Sequence, residues 1–479
     1  MIKKEYKEVL DELIEFENKN DMFSVSFNGV NIWEYVRWIF MRDLFHEINS
    51  FDEKLGSDFA EDYTGKMTVH DYWEKYVRRN IRFSKKREVL LVAHTRKIQD
   101  DDCFKRDIVV YWLDKYLEQS HYVLDYVKNN DYYIRQKSEN IVNYNLQSYM
   151  EKHNNGGKRI RIPVAEIDEL IFKPIESEFN IKLSLKTKRQ WYTLIEYIVN
   201  NKKIIYDYSI YILEKIKPKI ILMAVSYIFN NQILCEAAKE KRIPIVELQH
   251  GQASDIHVAY NYKKQIELKS FPDYFFSFGQ FEKDVTRWPI SKDKVIPVGF
   301  PEQEESLKRN PKIETEKKII LFISAQPVEL LNCAMKLCDY LDLDEYEINI
   351  KLHPMEIENA NKYRDILGKS PVKLIATNDN HINYYLCRTK WVVGIESTVM
   401  YEATAYDLNI AILKGPKWDY SKHLIEKNYA VFVNNARELA QYIKEDSCRA
   451  TESKYFYKKN SISNMEKAIN DILCINGEN

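Results

Sequence analysis

One stretch narrows the choice of fold more than any other: KPKIILMAVSYIFNNQILCEAAKEKRIPIVELQHGQ, residues 217–252. Lys219 to Ala224 is a short apolar run, Asn231 to Lys241 carries a helical spacing of apolar residues, and Pro244 to Leu248 is a second apolar run. A strand, helix, strand succession predicts a parallel unit whose ligands collect beyond the carboxyl ends of the strands. That places Ser226 and Tyr227 after the first strand, and Gln249, His250 and Gly251 after the second, as lining of a cleft.

The same alternation continues on both sides. REVLLVAHTRK opens a strand series, DYFFSFGQ and KVIPVGFP extend it to about residue 300, and the polar RNPKIETEKK reads as a linker. A second series follows: KKIILFISAQP, a helix through LLNCAMKLCDYL, YEINIKLHP, VKLIAT, KWVVGIEST, a helix through VMYEATAYDL, and NIAILKG. Strands alternating with helices imply parallel sheets covered on both faces. The expected fold class is α/β, with two Rossmann-like domains facing a cleft. The expected boundaries are a helical accessory segment over 1–86, an acceptor-side domain over 87–305, a donor domain over 315–450 and a helical tail over 451–479. YKEVLDELIEF and NIWEYVRWIFMRDLF supply the helical periodicity of the first segment. The last helix, about Ser461 to Ile475, has no packing partner assigned by sequence.

A chain of 479 residues exceeds what one core usually organises, consistent with two domains. Lysine plus arginine (71) nearly cancel aspartate plus glutamate (72), which argues against duplex nucleic acid as a partner. The seven cysteines (Cys103, Cys235, Cys333, Cys338, Cys387, Cys448 and Cys474) form no CxxC pair, so neither a disulfide framework nor a zinc ribbon is indicated. The opening MIKKEYKEVLDELIEFENKND is a charged amphipathic helix without a signal peptide's apolar centre, and no stretch approaches the ~20 apolar residues of a membrane span. A cytoplasmic protein is expected. WEKYVRRNIRFSKKR, residues 73–87, holds seven basic residues and one acid; it is either a solvated helix face or a contact with the anionic inner face of the cytoplasmic membrane.

Three short motifs carry chemistry. In KLHP, His353 emerges at a strand end and Pro354 stiffens the loop that holds it, so its imidazole either binds phosphate or merely ends the strand. In GIESTVMYEA, Ser397 and Thr398 stand at a helix start, where hydroxyls and backbone N–H groups cradle an anion or simply cap the helix. Glu396 and Glu402 flank that turn as candidate acceptors for ribose hydroxyls, and Lys351 adds charge to the pocket or serves the strand it sits in. In QHG, Gly251 permits a sharp turn that leaves His250 at the cleft as a candidate general base, against the plainer reading of a capping or core histidine. His257 is read as a surface residue in preference to a second cleft histidine. Asp-x-Asp spacings at 342–344 and 100–102 lie in charged turns and are read as solvated rather than metal-binding. No GxGxxG after a strand, GxxxxGK[ST], HExxH or GxSxG occurs, so no bound cofactor and no metal site is expected.

Together QHG, KLHP and the E-S-T turn before a helix ending in YEA resemble the GT-B type transferases that build bacterial capsule, teichoic-acid and O-antigen polymers. The likeness is to CDP-glycerol glycerophosphotransferases, polysialyltransferases and capsular Kdo transferases. HTRK and FNGVNIWEYVRW are similar to segments of uncharacterised members of such biosynthesis systems, and the likeness spans roughly residues 87–450. It implies a metal-independent transfer from a nucleotide-activated donor of CMP, CDP or UDP type to a glycan or lipid-linked acceptor. His250 would then be the base, and His353, Ser397 and Thr398 would hold donor phosphates. The E-x7-E of many retaining transferases is not present: Glu396 is followed eight on by Thr404, and Glu402 by Ile410. Three alternatives remain open: transfer of a CDP-linked polyol phosphate, epimerisation of a nucleotide sugar, and a non-catalytic scaffold of polysaccharide assembly.

Overall fold

The computed structural model describes residues 6–49, 69, 73, 77–94, 97–99, 105–126, 138–153, 159–324, 327–377, 379–445 and 455–477. Its centre is two parallel sheets. The first contains β1 (Val89–Val92), β2 (His121–Tyr126), β3 (Ile141–Tyr144), β4 (Ile220–Met223), β5 (Ile245–Leu248), β6 (Tyr274–Ser277) and β7 (Val295–Pro297) in the order β7-β6-β5-β4-β1-β2-β3. The second contains β8 (Lys318–Ser324), β9 (Tyr346–Leu352), β10 (Lys373–Ile375), β11 (Thr389–Gly394), β12 (Asn409–Leu413) and β13 (Ala430–Val433) in the order β10-β9-β8-β11-β12-β13. Numbered within each sheet, both follow the 3-2-1-4-5-6 order of a Rossmann fold, the first with one strand more. Each therefore has a switch point where the order reverses, between β1 and β4 and between β8 and β11. The chain is an α/β protein of two Rossmann-like halves, consistent with a two-domain GT-B arrangement.

The strands read as continuous apolar runs because both faces of each sheet are covered. Alternate residues supply alternate cores: Val89 and Leu91 pack with the helices on one face of the first sheet, Leu90 and Val92 with those on the other. Ile320 and Phe322 divide from Leu321 and Ile323 in the same way across the second sheet. Side chains such as Leu90 and Phe322 are fully buried, each contributing about 1.5–3 kcal/mol over exposure.

The helical accessory core is not made by the N-terminal stretch alone. α1 (Tyr6–Lys19) and α2 (Trp33–Asn49) share one apolar cluster with residues 162–183 and with the first half of α3 (Leu185–Ile216). Helix α3 is 32 residues long, about 48 Å at 1.5 Å per residue. Its Trp191, Ile195 and Ile198 lie in the accessory cluster, and its Tyr208, Ile212 and Ile216 pack on the first sheet. Ser184 caps its start by accepting from the Thr187 N–H at 3.1 Å.

Part of the basic stretch 73–87 lies outside the described residues (74–76). Beyond Val77 and Arg78 the only described helix of the stretch is the single 3-10 turn Ile81–Phe83; Asn80 bridges Asn143 of β3, and Arg79 is buried, its carbonyl accepting from the Asn143 N–H at 2.8 Å. Trp73, Val77 and Phe83 are exposed. The acidic triplet at 100–102 also lies outside the described residues. At 342–344 the Asp342 carboxylate accepts from the Asp344 N–H, an ordinary turn. Among the described residues, no helix is long and apolar enough to cross a membrane.

The last helix, α4 (Ser461–Gly477), returns to the first half, with Met465, Ile469 and Ile472 in the core beside β1 and β4. Two glycines make room for this return. A Cβ on Gly279 would stand 2.3 Å from the Tyr455 carbonyl oxygen, and one on Gly299, whose φ is +101°, would stand 2.2 Å from that of Lys458.

Candidate functional site

At the first switch point, β1 leads to His94, β4 to Ser226 and Tyr227, and β5 to His250. The His250 ring lies 5.3 Å from His94 and 5.8 Å from Tyr227, and its Nε2 is 3.0 Å from the Tyr227 hydroxyl. Burial, then His94 and His257, push its pKa well below the usual histidine value, and the Ala224 carbonyl works the other way. The imidazole is therefore neutral near pH 7, the form a general base needs.

Beneath it, in β5, is Glu247, which sequence reading passed over. Its side chain is fully buried. Ser226 donates to its Oε2 at 2.5 Å, Tyr260 donates to its Oε1 at 2.5 Å, and Oε1 is 4.0 Å from His250 Nδ1. Burial raises this carboxyl to about 7 against the pull of those two hydroxyls. The signal available in sequence was an acid inside a strand, IVEL, whose neighbours are all apolar.

Several assignments shift. Ser226 is buried and serves Glu247, so it stands behind the rim rather than on it. Gln249 is likewise buried. It donates to the Glu282 carboxyl and the Gly251 carbonyl, both at 2.8 Å, and accepts from the Phe278 N–H at 2.6 Å, tying β5 to β6. Gly251 has no left-handed backbone angle, so no sharp turn requires it; a Cβ there would meet nothing within 4 Å, which leaves open space beside His250. His257 is not a surface residue. It stacks on Trp38 of α2 (centroids 5.2 Å apart, planes 2° apart) and on Tyr260, and burial pushes its pKa down to about 3. Arg37, one residue earlier in the same helix, is held by Glu17 and donates to the Val258 and Asn261 carbonyls at 2.6 Å, fixing the chain that follows His257. FNGVNIWEYVRW thus acts at the first rim through Arg37 and Trp38.

The second rim lies across β8. Leu352 pairs with Ser324, and Val393 with Phe322, so His353 and Glu396 leave the sheet at nearly the same level, two strand spacings or about 10 Å apart. His353 is exposed; its Nδ1 accepts from the Met355 N–H at 3.3 Å, so Nε2 carries the ring proton. Ser397 caps α5 (Thr398–Glu402), accepting from the Val399 N–H at 3.2 Å, which leaves its O–H able to donate. Thr398, at the first helical position, is exposed. Lys351 is engaged within the sheet edge: it is buried, donates to the Thr377 carbonyl at 2.8 Å and lies over the Tyr385 ring, so it tethers that edge. Glu396 is 3.9 Å from Lys417. Burial raises the Tyr406 and Tyr457 phenols, and Glu402 adds to both, on the side where the tail returns.

The two rims meet through the loop after His250. Gln252 reaches the Tyr420 carbonyl, and Asp255 lies 2.7 Å from His423 and 3.6 Å from Lys422. Ser421, between them, donates to the Ile395 carbonyl at the foot of the Glu396–Ser397 turn. No group of His, Cys, Asp and Glu with metal-site geometry occurs among the described residues.

No protein-family model matches the sequence, and no curated protein matches it. Solved structures match in fold at low identity. The UDP-GlcNAc 2-epimerase of Methanocaldococcus jannaschii superposes with a TM-score of 0.47 at 11% identity, covering 80% of this chain and 99% of that one. The UDP-GlcNAc 2-epimerase of Neisseria meningitidis bound to UDP-GlcNAc gives 0.47 at 15% identity, covering 80% and 100%. The wall teichoic acid polymerase TagF gives 0.44 at 10% identity, covering 82% and 90%.

Proposed function

We propose that this protein is a glycosyltransferase that moves a sugar from a nucleotide-activated donor to a hydroxyl of a bacterial surface glycan or lipid-linked acceptor. The observation that carries the reading is the pairing of two switch-point rims. One bears a neutral histidine beside open space, the other an exposed histidine and two hydroxyls, and the loop after the first histidine is joined to the second rim. His250 is the base on the acceptor side. His353 Nε2–H and the Ser397 and Thr398 hydroxyls hold the donor phosphate and stabilise the negative charge that gathers on the leaving nucleotide. Glu396 and Glu402 are proposed near the donor's sugar hydroxyls. Lys351 is proposed only as a tether of that rim.

The test is a thermal-shift panel with CMP, CDP, UDP and their activated sugars on wild type and His353→Ala. A ligand that binds the folded state stabilises it by RT ln(1 + [L]/Kd), about 2.7 kcal/mol at a hundredfold excess over Kd. A rise with one nucleotide series that is lost in the variant supports the donor site; no rise with any of them overturns the reading. Turnover of CDP-glycerol rather than a sugar nucleotide turns the assignment to polyol-phosphate transfer, and interconversion of a UDP-sugar without an acceptor turns it to epimerisation.

A further inference from the structure

Three groups at the first rim neighbour one another. The Tyr227 hydroxyl is 3.0 Å from His250 Nε2, and on the other side of the ring Nδ1 is 4.0 Å from Glu247 Oε1. A neutral imidazole has one donor and one acceptor nitrogen, and the assignment follows from what each faces. Nδ1, buried and without a well-formed hydrogen bond among the described residues, lies toward a carboxyl oxygen, which accepts. With the Tyr227 hydroxyl as donor, Nε2 supplies the lone pair and Nδ1 carries the N–H. His250 Nε2 is thus already occupied by a phenol.

We propose that Tyr227, His250 and Glu247 form a proton relay in which Tyr227 takes the acceptor's proton while passing its own to His250 Nε2. The relay rests on the transferase reading above. As the acceptor oxygen bonds to the donor's anomeric carbon, the bond from that carbon to the donor phosphate breaks and the nucleotide leaves with the electron pair. The acceptor O–H proton moves to the Tyr227 oxygen, the Tyr227 proton moves to Nε2, and the imidazolium formed keeps its Nδ1–H directed at the Glu247 carboxylate. Return of a proton through Tyr227 to water resets the three groups, with no net change in the protein.

In the relay Tyr227 is the member that meets the acceptor and His250 remains the base that takes up the proton; Glu247 is a positioning residue that acts through His250. The surroundings favour onward transfer over a standing phenolate. Burial and the nearby Glu247 raise the Tyr227 phenol above its ordinary value, so its proton is lost only as another arrives. Ser226 and Tyr260, each donating to one Glu247 oxygen, fix the carboxyl beneath the ring.

Two measurements decide it. Imidazole nitrogen NMR of the full chain at pH 7 is expected to show His250 as the Nδ1–H tautomer, with Nε2 shifted in Tyr227→Phe; the Nε2–H tautomer overturns the relay. Release of free nucleotide from CMP-sialic acid, UDP-N-acetylglucosamine and CDP-glycerol, with water as acceptor, gives the kinetic arm. Tyr227→Phe is expected to lower kcat by about 10²-fold with KM for the donor within about threefold. The wild type is expected to gain rate with pH near pH 7, and Glu247→Gln to have a lower kcat and to lose that rise. If His250→Ala abolishes release while Tyr227→Phe stays within about threefold of wild type, the relay is overturned and the base assignment stands. If the wild type releases nucleotide from none of the three, the transferase reading falls and the relay with it.

Discussion

The Asp255 carboxylate stands 2.7 Å from His423 Nε2 across the two halves of the molecule, and Lys7 of α1 reaches its other oxygen at 2.5 Å. With Lys422 at 3.6 Å, one carboxylate joins the accessory helices, the loop after His250 and the donor-side half. These partners hold the Asp255 pKa well below its ordinary value, against the opposing effect of burial. This contribution to stability is present above the unfolded carboxyl value and is lost as pH falls toward the folded one. Asp255→Asn is expected to destabilise the protein by about 3 kcal/mol in urea titrations at pH 7. It should also speed hydrogen exchange in 252–257 and 420–423 together; exchange confined to one segment would mean the carboxylate does not join them.

Glu247 gives a stability prediction of opposite sign. Its folded pKa, about 7, lies above the unfolded value, so the buried carboxyl favours folding at low pH and its contribution is lost as pH rises through about 7. Relative to Glu247→Gln, the wild type should lose on the order of 3 kcal/mol between pH 4.5 and pH 8. A difference between the two curves that is flat with pH would place the carboxyl's titration elsewhere.

His257 is lowered to about 3, so the unfolded state binds the extra proton at any pH between that value and the usual histidine value. Its burial costs stability progressively as pH falls below about 6.5. His257→Phe, which keeps a ring against Trp38 and Tyr260, should flatten the loss of melting temperature between pH 6.5 and pH 4.5 relative to wild type.

Ser397 has a capping role that is separable from any ligand. Ser397→Ala is expected to destabilise the protein by about 1 kcal/mol in the absence of nucleotide, read from equilibrium urea melts. Ser397→Asp, which retains a capping oxygen but places negative charge where a phosphate is proposed, should restore that stability while abolishing nucleotide-induced stabilisation.

Gly299→Ala tests the return of the tail. The backbone angle of +101° and the 2.2 Å approach to the Lys458 carbonyl leave no room for a methyl group. A loss of at least about 2 kcal/mol is expected, with faster hydrogen exchange in α4 while the second half keeps its protection. Unchanged exchange in α4 would show that the tail docks without this close approach.

The sequence by itself determined what depends on local pattern. Apolar runs such as IILM and NIAIL, separated by helical spacing, announced parallel strands covered on both faces, and the residues after those runs were placed at strand ends. His250 and His353 follow strand ends, and Ser397 and Thr398 stand at a helix start. Only the tertiary structure decided which strand ends are neighbours. β1 lies against β4 although more than a hundred residues separate them, and that pairing brings His94 to His250. Sharing of α3 between two cores brings the accessory helices, and with them Trp38, against Tyr227 and His257. The protonation of the site was decided there as well. Glu247 and His257 have ordinary acid and base character in the chain, and burial, a property of the packed whole, moves the first up to about 7 and the second down to about 3. Strand identity is set by neighbours in sequence, whereas strand order and desolvation are set by partners distant in sequence, and no local pattern encodes them.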